Sequence, residues 1–226
     1  TIYHVKKGTF SFKTCGGYVN QRLSIIQGIL IAEELDWKLI LPKLNNNGEQ
    51  TTETYSEYKT NLVEFDYFYK SSELNKLNIN ILSNHSNINL NYLDINKYTR
   101  LKQIIRSIKG VYQNVLISCP LFKFKSSAKN IYRINRLLKP SASILLAVNN
   151  IKSKIPKTYY SLHYRMEEDW LKHCQRWSSP TRRNCLTNSE NMKNMFAIEG
   201  IRYDVPIYVM GKTHHPNLEF LTNMYT

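Results

Sequence analysis

From Phe10 to Pro42 the chain reads Phe10-Ser11-Phe12-Lys13, then Gly16-Gly17, then an apolar stretch from Val19 to Leu35, then Lys38-Leu39-Ile40-Leu41-Pro42. A β-favouring run, a glycine break, a helix-length apolar segment and a second short apolar run make a βαβ unit. That connection implies a parallel sheet with a right-handed crossover. Val19, Leu23, Ile25, Ile26, Ile29, Leu30, Ile31, Ala32 and Leu35 cover more than one helical face, so the helix is predicted to pack on at least two sides. The fold class that follows is α/β.

The pattern continues downstream. Residues 43–60, with Asn45-Asn46-Asn47-Gly48, read as a surface loop or insertion. Val63 to Tyr69 is aromatic and predicts a short helix or strand, and residues 74–98 predict short strands and loops. Helices are expected near 101–108, 128–138 and 142–153, with a strand at Val115–Ser118. Lys154 to Lys157, with Pro156, marks a domain boundary, giving an amino-terminal lobe at 1–155 and the first part of a second lobe at 156–226. After it come a strand through Tyr159–Arg165, a helix over Glu167–Arg176, a helix from Asn188 to about Glu199, a strand at Pro206–Gly211 and a helix start at Pro216–Leu221. The last residues, following a strand and a helix start, read as a cut inside a domain.

The 226 residues carry 31 Lys and Arg against 17 Asp and Glu, a net charge of +14. That balance favours polyanions or phosphates as partners. No dense basic run is present, and the largest local cluster is Arg176, Arg182 and Arg183, so scattered solvent-facing lysines account for the charge equally well. No run of 18 apolar residues exists to span a membrane. The four cysteines, Cys15, Cys119, Cys174 and Cys185, are too few for a disulfide scaffold. Cys174 and Cys185 enclose a short loop and are candidates to pair, while a reduced cytosolic protein fits the same count. No Cys-x-x-Cys occurs, and His173-Cys174 lacks zinc-site spacing, so no metal is expected.

Two turns carry candidate chemistry. Gly16 and Gly17 allow a sharp turn and the close approach of a ligand, and the helix after them offers unpaired N–H groups to an anion. Asn20 and Gln21 add polar side chains at that end and Arg22 adds a cation. The alternative for the glycine pair is turn geometry alone. In the second turn, Leu162-His163-Tyr164-Arg165, His163 and Arg165 fall on one side of a strand. In a buried strand Arg165 must meet a carboxylate, from Glu167, Glu168 or Asp169, or a ligand phosphate, for which guanidinium geometry suits a diphosphate. His163 is either an acid or base or a core histidine satisfied by backbone. His214-His215 reads as loop decoration, and Asn84-His85-Ser86 is a glycosylation sequon relevant only to a secreted chain.

Gly16-Gly17-Tyr18-Val19-Asn20-Gln21-Arg22, the apolar helix and Leu39-Ile40-Leu41-Pro42-Lys43 resemble the amino-terminal signature of the GDP-fucose protein O-fucosyltransferases and their plant relatives. Leu162-His163-Tyr164-Arg165 with Asp169-Trp170 and Cys174 resembles that family's second signature, and Val63–Tyr69 and Leu138–Ser141 resemble intervening blocks. The resemblance implies two Rossmann-like lobes of the GT-B type, with the second lobe incomplete in these residues. It implies an inverting, metal-independent transferase that moves fucose from GDP-fucose to a Ser or Thr hydroxyl or a glycan. By it Arg165 binds the diphosphate and stabilises the leaving group. Gly16, Gly17, Asn20 or Gln21 line the sugar and phosphate site, and His163 and Asp169 orient donor and arginine. Gly17 stands where some relatives carry Arg, and no general base stands out among Glu167, Glu168 and Asp169. An ER or Golgi lumen location accompanies the resemblance if a targeting segment precedes Thr1; a cytoplasmic one is the alternative. Two other functions compete: a basic module for nucleic acid or sulfated glycan, although no nucleic-acid motif is present, and a transferase-like protein that has lost turnover.

Overall fold

The protein is described by a computed structural model, which places residues 7–46, 62–82, 88–98, 100–111, 113–121, 125–164, 174, 188–211 and 218–224. The chain divides into two compact units, Thr1–Leu146 and Ala147–Thr226.

The first unit is built on a five-stranded sheet, all of its pairings parallel. Its strands are β1 (Thr9–Phe12), β2 (Lys38–Ile40), β5 (Ile81–Leu82), β6 (Asn91–Leu93) and β7 (Asn114–Ile117), in the order β5-β2-β1-β7-β6. β1 is central and all four of its residues are buried. Phe10 and Phe12 lie on one side of it, as alternation requires, and Ser11 on the other, where its hydroxyl donates to the Ile40 carbonyl at 3.2 Å.

Helix α1 (Tyr18–Leu35) links β1 to β2. Its buried residues run through Ile25, Ile26, Gly28, Ile29, Leu30, Ile31 and Ala32, which span several faces, as predicted for a helix packed on more than one side. Helices α2 (Leu101–Val111) and α3 (Ala128–Leu137) flank it. Ile104 and Ile108, one turn apart on α2, and Ile134 of α3 are all fully buried, while Lys102, Arg106 and Lys109 face out. α1 stops at Asp36, whose left-handed backbone (φ 55°) lets its N–H reach the carbonyls of Ala32 and Glu33.

Two sequence expectations change here. Leu44 and Asn45, assigned to a surface loop, form the buried strand β3, paired antiparallel with β4 (Leu62–Val63). The physical reason is that the Asn45 backbone has partners on two sides, the β4 strand and an α1 side chain described below. The Val63–Tyr69 block becomes β4 followed by a single 3-10 turn at Phe65–Tyr67. That turn is joined to the Leu138–Ser141 block by Lys70 N–H to Lys139 O (2.9 Å), Ser141 N–H to Phe68 O (2.9 Å) and Ser141 Oγ to Tyr67 O (2.7 Å). Helix α4 (Ala142–Lys152) follows and buries no residue.

In the second unit β8 (Tyr160–Tyr164) and β9 (Ile207–Gly211) pair in parallel. The helix Ser189–Ile198 starts where the sequence predicted, with the Asn188 side chain accepting from the Asn191 N–H at 2.8 Å. Tyr164, Met192, Phe196, Leu218, Phe220 and Leu221 form this unit's core. No described helix is long and apolar enough to cross a membrane.

Candidate functional site

The glycine turn lies at the carboxyl end of β1, where open parallel sheets present their ligand-facing loops. Gly16 has φ 70°, a conformation that L side chains avoid. A methyl group built there would also sit 2.6 Å from Asn20 Nδ2 and 2.8 Å from Asn20 Cβ. Gly16 and Asn20 are therefore nested against each other, and the turn tolerates nothing larger than hydrogen. Gly17 is extended (φ −64°, ψ 177°) and is the N-cap of α1.

As a cap Gly17 has no side chain to donate or accept, and the first turn of α1 carries no acidic residue. The leading N–H groups of the helix thus keep their positive character, which suits an anion. Tyr18 and Val19, the first two helical residues, are 47% and 66% exposed, so this end of the helix is open to a ligand.

Gln21 and Arg22 have other partners. Gln21 is buried; its Oε1 accepts from the Asn45 N–H at 2.8 Å and its Nε2 donates to the Asn45 carbonyl at 3.3 Å. The side-chain amide thereby acts as one more strand residue and holds β3 to α1. Thr14 Oγ1 lies 3.3 Å from the Lys43 carbonyl and 3.4 Å from Gln21 Oε1, closing the same network beneath the loop. Arg22 donates from Nε to Asn135 Oδ1 (2.7 Å) and from Nη2 to the Asn135 carbonyl (2.9 Å), bolting α1 to α3. Its guanidinium also lies 5.4 Å from the Tyr69 ring centre. Tyr69 is enclosed, its hydroxyl without a normal-length hydrogen bond. Burial first, then the neighbouring Tyr18 phenol, pushes its titration up, so it stays neutral.

The feature that sequence reasoning missed is a disulfide between Cys15 and Cys119. Cys15 immediately precedes Gly16, and Cys119 lies two residues beyond the end of β7. Because β1 and β7 are adjacent and in register (Phe12 opposite Ile117), the loops that follow them lie side by side. Ser24 Oγ is 3.2 Å from Cys119 Sγ and 2.8 Å from the Asn20 carbonyl, to which it donates. The available signal was a cysteine next to each of two strand ends, but it has meaning only once the sheet order is known. Cys174 is also disulfide-bonded, which leaves the reduced-protein alternative without support; Cys185, its pairing candidate, lies outside the described residues.

Beside the disulfide, Asp94 and Ser118 close the ends of β6 and β7. Ser118 Oγ donates to Asp94 Oδ1 (3.1 Å) and accepts from the Ile95 N–H (2.9 Å), while Asp94 Oδ1 also accepts from the Asn96 N–H (2.9 Å). The Asn96 backbone N–H, chiefly, and then Ser118 hold the Asp94 carboxyl below the ordinary carboxylate range.

In the second unit, His163 lies in β8 opposite Met210 and is exposed, so it is not the core histidine that the sequence allowed. The reason is strand parity: Leu162 and Tyr164 turn toward the unit's core and Ser161 and His163 turn away. The expectation of a buried strand gives way accordingly, since of its five residues only Tyr164 is buried. Arg165, Glu167, Glu168, Asp169 and Trp170, the arginine cluster at 176–183 and His214-His215 lie outside the described residues. The structure thus brings together Gly16, Gly17 and Asn20, sets Gln21 beneath them with its side-chain amide on the Asn45 backbone, and leaves His163 on the exposed face of β8.

No family model matches this sequence, and no curated protein matches it. Solved structures do. A crystal structure of POFUT1 in complex with GDP-fucose superposes with a TM-score of 0.63 at 13% identity, covering 96% of this chain and 81% of that one. POFUT1 in complex with GDP gives 0.61 at 13% identity, covering 97% and 82%. An apo form gives 0.61 at 14%, with the same coverage. At this identity the likeness is one of fold: the chain has a mixed α/β fold similar to that of POFUT1, a protein crystallised with GDP and with GDP-fucose.

Proposed function

We propose that this protein is a glycosyltransferase of the two-lobed GT-B type that takes GDP-fucose as donor and transfers fucose to a Ser or Thr hydroxyl or to a glycan. The observation that carries the reading is the Gly16-Gly17 turn opening into an uncapped helix N-terminus at the end of the central parallel strand. A fold similar to that of POFUT1, whose crystals hold GDP-fucose, supports it.

In this reading the open N–H groups of α1 and the Gly16-Gly17 backbone take a negatively charged part of the donor, and Asn20 binds its sugar. Gln21 serves by fixing the loop rather than by touching the donor. Arg165 forks onto the diphosphate and offsets the charge that grows on the leaving group, an electrostatic role that needs no metal. Asp169 holds that arginine in place. His163, exposed beside it in sequence, contributes a donor hydrogen bond.

Calorimetric titration of the protein with GDP tests the reading, with micromolar binding expected and a complete absence of heat overturning it. With binding established, Arg165→Ala is expected to lower fucose transfer by roughly 10²–10³. An equal rate in wild type and variant would mean that turnover has been lost or that the arginine has another role.

A second reading, a polyanion-binding module, is favoured by the net charge of +14. It predicts retention on heparin or DNA that falls steeply between 50 and 200 mM salt; absence of retention at low salt removes it.

A further inference from the structure

We infer that the Cys15–Cys119 disulfide is the positioning element of the glycine loop, setting the loop's geometry for an anion rather than only holding the fold together. The inference rests on the donor-loop reading above. Gly16 and Gly17 have no side chains with which to anchor the loop and Gly16 adopts a left-handed backbone, while the Thr14–Gln21–Asn45 network holds the loop from beneath. The bond attaches the residue before Gly16 to the loop after β7. From Cys119 the contacts continue to Ser24 Oγ at 3.2 Å, and from Ser24 to the Asn20 carbonyl at 2.8 Å. The sulfur bridge thus fixes the start of the turn at Cys15, while the other end is held as the first turn of α1, where Ser24, in contact with Cys119 Sγ, donates to the Asn20 carbonyl. The sheet beneath does not need it, because β1 and β7 are already joined through the register pairs Thr9–Asn114 to Phe12–Ile117 and packed against Ile104 and Ile108. Opening the bridge therefore frees the loop while the strands persist.

The test compares wild type, the Cys15→Ser/Cys119→Ser double variant and Ile104→Ala, a core variant in α2 away from the loop. Melting temperature, GDP affinity and amide exchange are read for each. The serine pair is expected to weaken GDP binding at least tenfold and to speed exchange at residues 16–20, with β1 and β7 amides still protected. Ile104→Ala is expected to bind GDP as wild type does despite a lower melting temperature. A serine pair that binds within twofold of wild type with unchanged loop exchange overturns the inference, as does equal weakening in Ile104→Ala. Should wild type itself not bind GDP, the function proposed above fails, and loop exchange alone decides the clamp. Should the double variant not fold, the Cys174→Ser variant, which keeps the Cys15–Cys119 bridge, is compared before and after dithiothreitol in its place. The dithiol closes to its cyclic disulfide as its two electrons and two protons convert Cys15 and Cys119 to thiols. Unfolding of the reduced protein would make the bridge merely structural and sink the proposal.

Discussion

Gly28 shows how one hydrogen atom fixes the seat of α1 on the sheet. A methyl group there would come 2.3 Å from Phe12 Cε1, with two further ring carbons at 2.4 and 2.5 Å. Alanine is the better helix former by about 1 kcal/mol, but overpacking a fully buried ring typically costs about 1–3 kcal/mol. Gly28→Ala is therefore expected to destabilise the first unit by up to about 2 kcal/mol, measurable as an earlier urea midpoint with an unchanged slope. A stabilised variant would show that the helix lifts off Phe12 without penalty. Asp94 gives a pH test. Its folded titration lies below its ordinary value, so its contribution is present above about pH 4 and is lost as pH falls through the folded value. Asp94→Asn is expected to melt earlier than wild type at pH 7 and to converge with it at pH 2. A gap that persists at pH 2 would assign the difference to packing.

At the scale of elements, α1 is held to α3 by two different bonds. Arg133 pairs bidentately with Glu33 at 2.8 and 2.6 Å, and this raises the Arg133 titration further. The pair is half-exposed, with Arg133 at 43% and Glu33 at 22%, so a coupling of only about 0.5–1 kcal/mol is expected. A double-mutant cycle with Glu33→Gln and Arg133→Gln would measure it, and the coupling should shrink in 1 M salt. A value above about 2 kcal/mol would mean that the pair is better shielded than its exposure indicates. The sequence identified most of these elements because periodicity and caps are local: α1, α3, β1, β7 and the Asn188 cap fall within a residue or two of where the pattern put them. It misread Leu44-Asn45 because the cause of their burial, the Gln21 amide, is 24 residues away. It read Arg22 only as a cation at the turn for the same reason, since its partner Asn135 is 113 residues distant.

For the whole molecule, the Cys15–Cys119 bridge spans 104 residues. A cross-link of that length typically contributes about 2–4 kcal/mol. For a chain of this size each kcal/mol shifts the melting temperature by about 2–4 °C. Loss of this bridge is thus expected to lower the melting temperature by roughly 5–15 °C, read by calorimetry on Cys15→Ser/Cys119→Ser against wild type, since reductant would also open the Cys174 disulfide; no shift would mean that the chain without the bridge is equally constrained. Disulfides of this kind form and persist in oxidising compartments. By itself the sequence determined the α/β class, the central βαβ unit and the glycine turn, because strand alternation, helical period and glycine's freedom of φ are properties of neighbouring residues. Only the tertiary structure decided which side chains serve the turn. Sheet order set Cys15 beside Cys119, the packing of α1 gave Gln21 to Asn45 and Arg22 to Asn135, and the choice of which β8 face meets the core turned His163 outward. Those outcomes depend on which elements lie against which, and no local pattern encodes that.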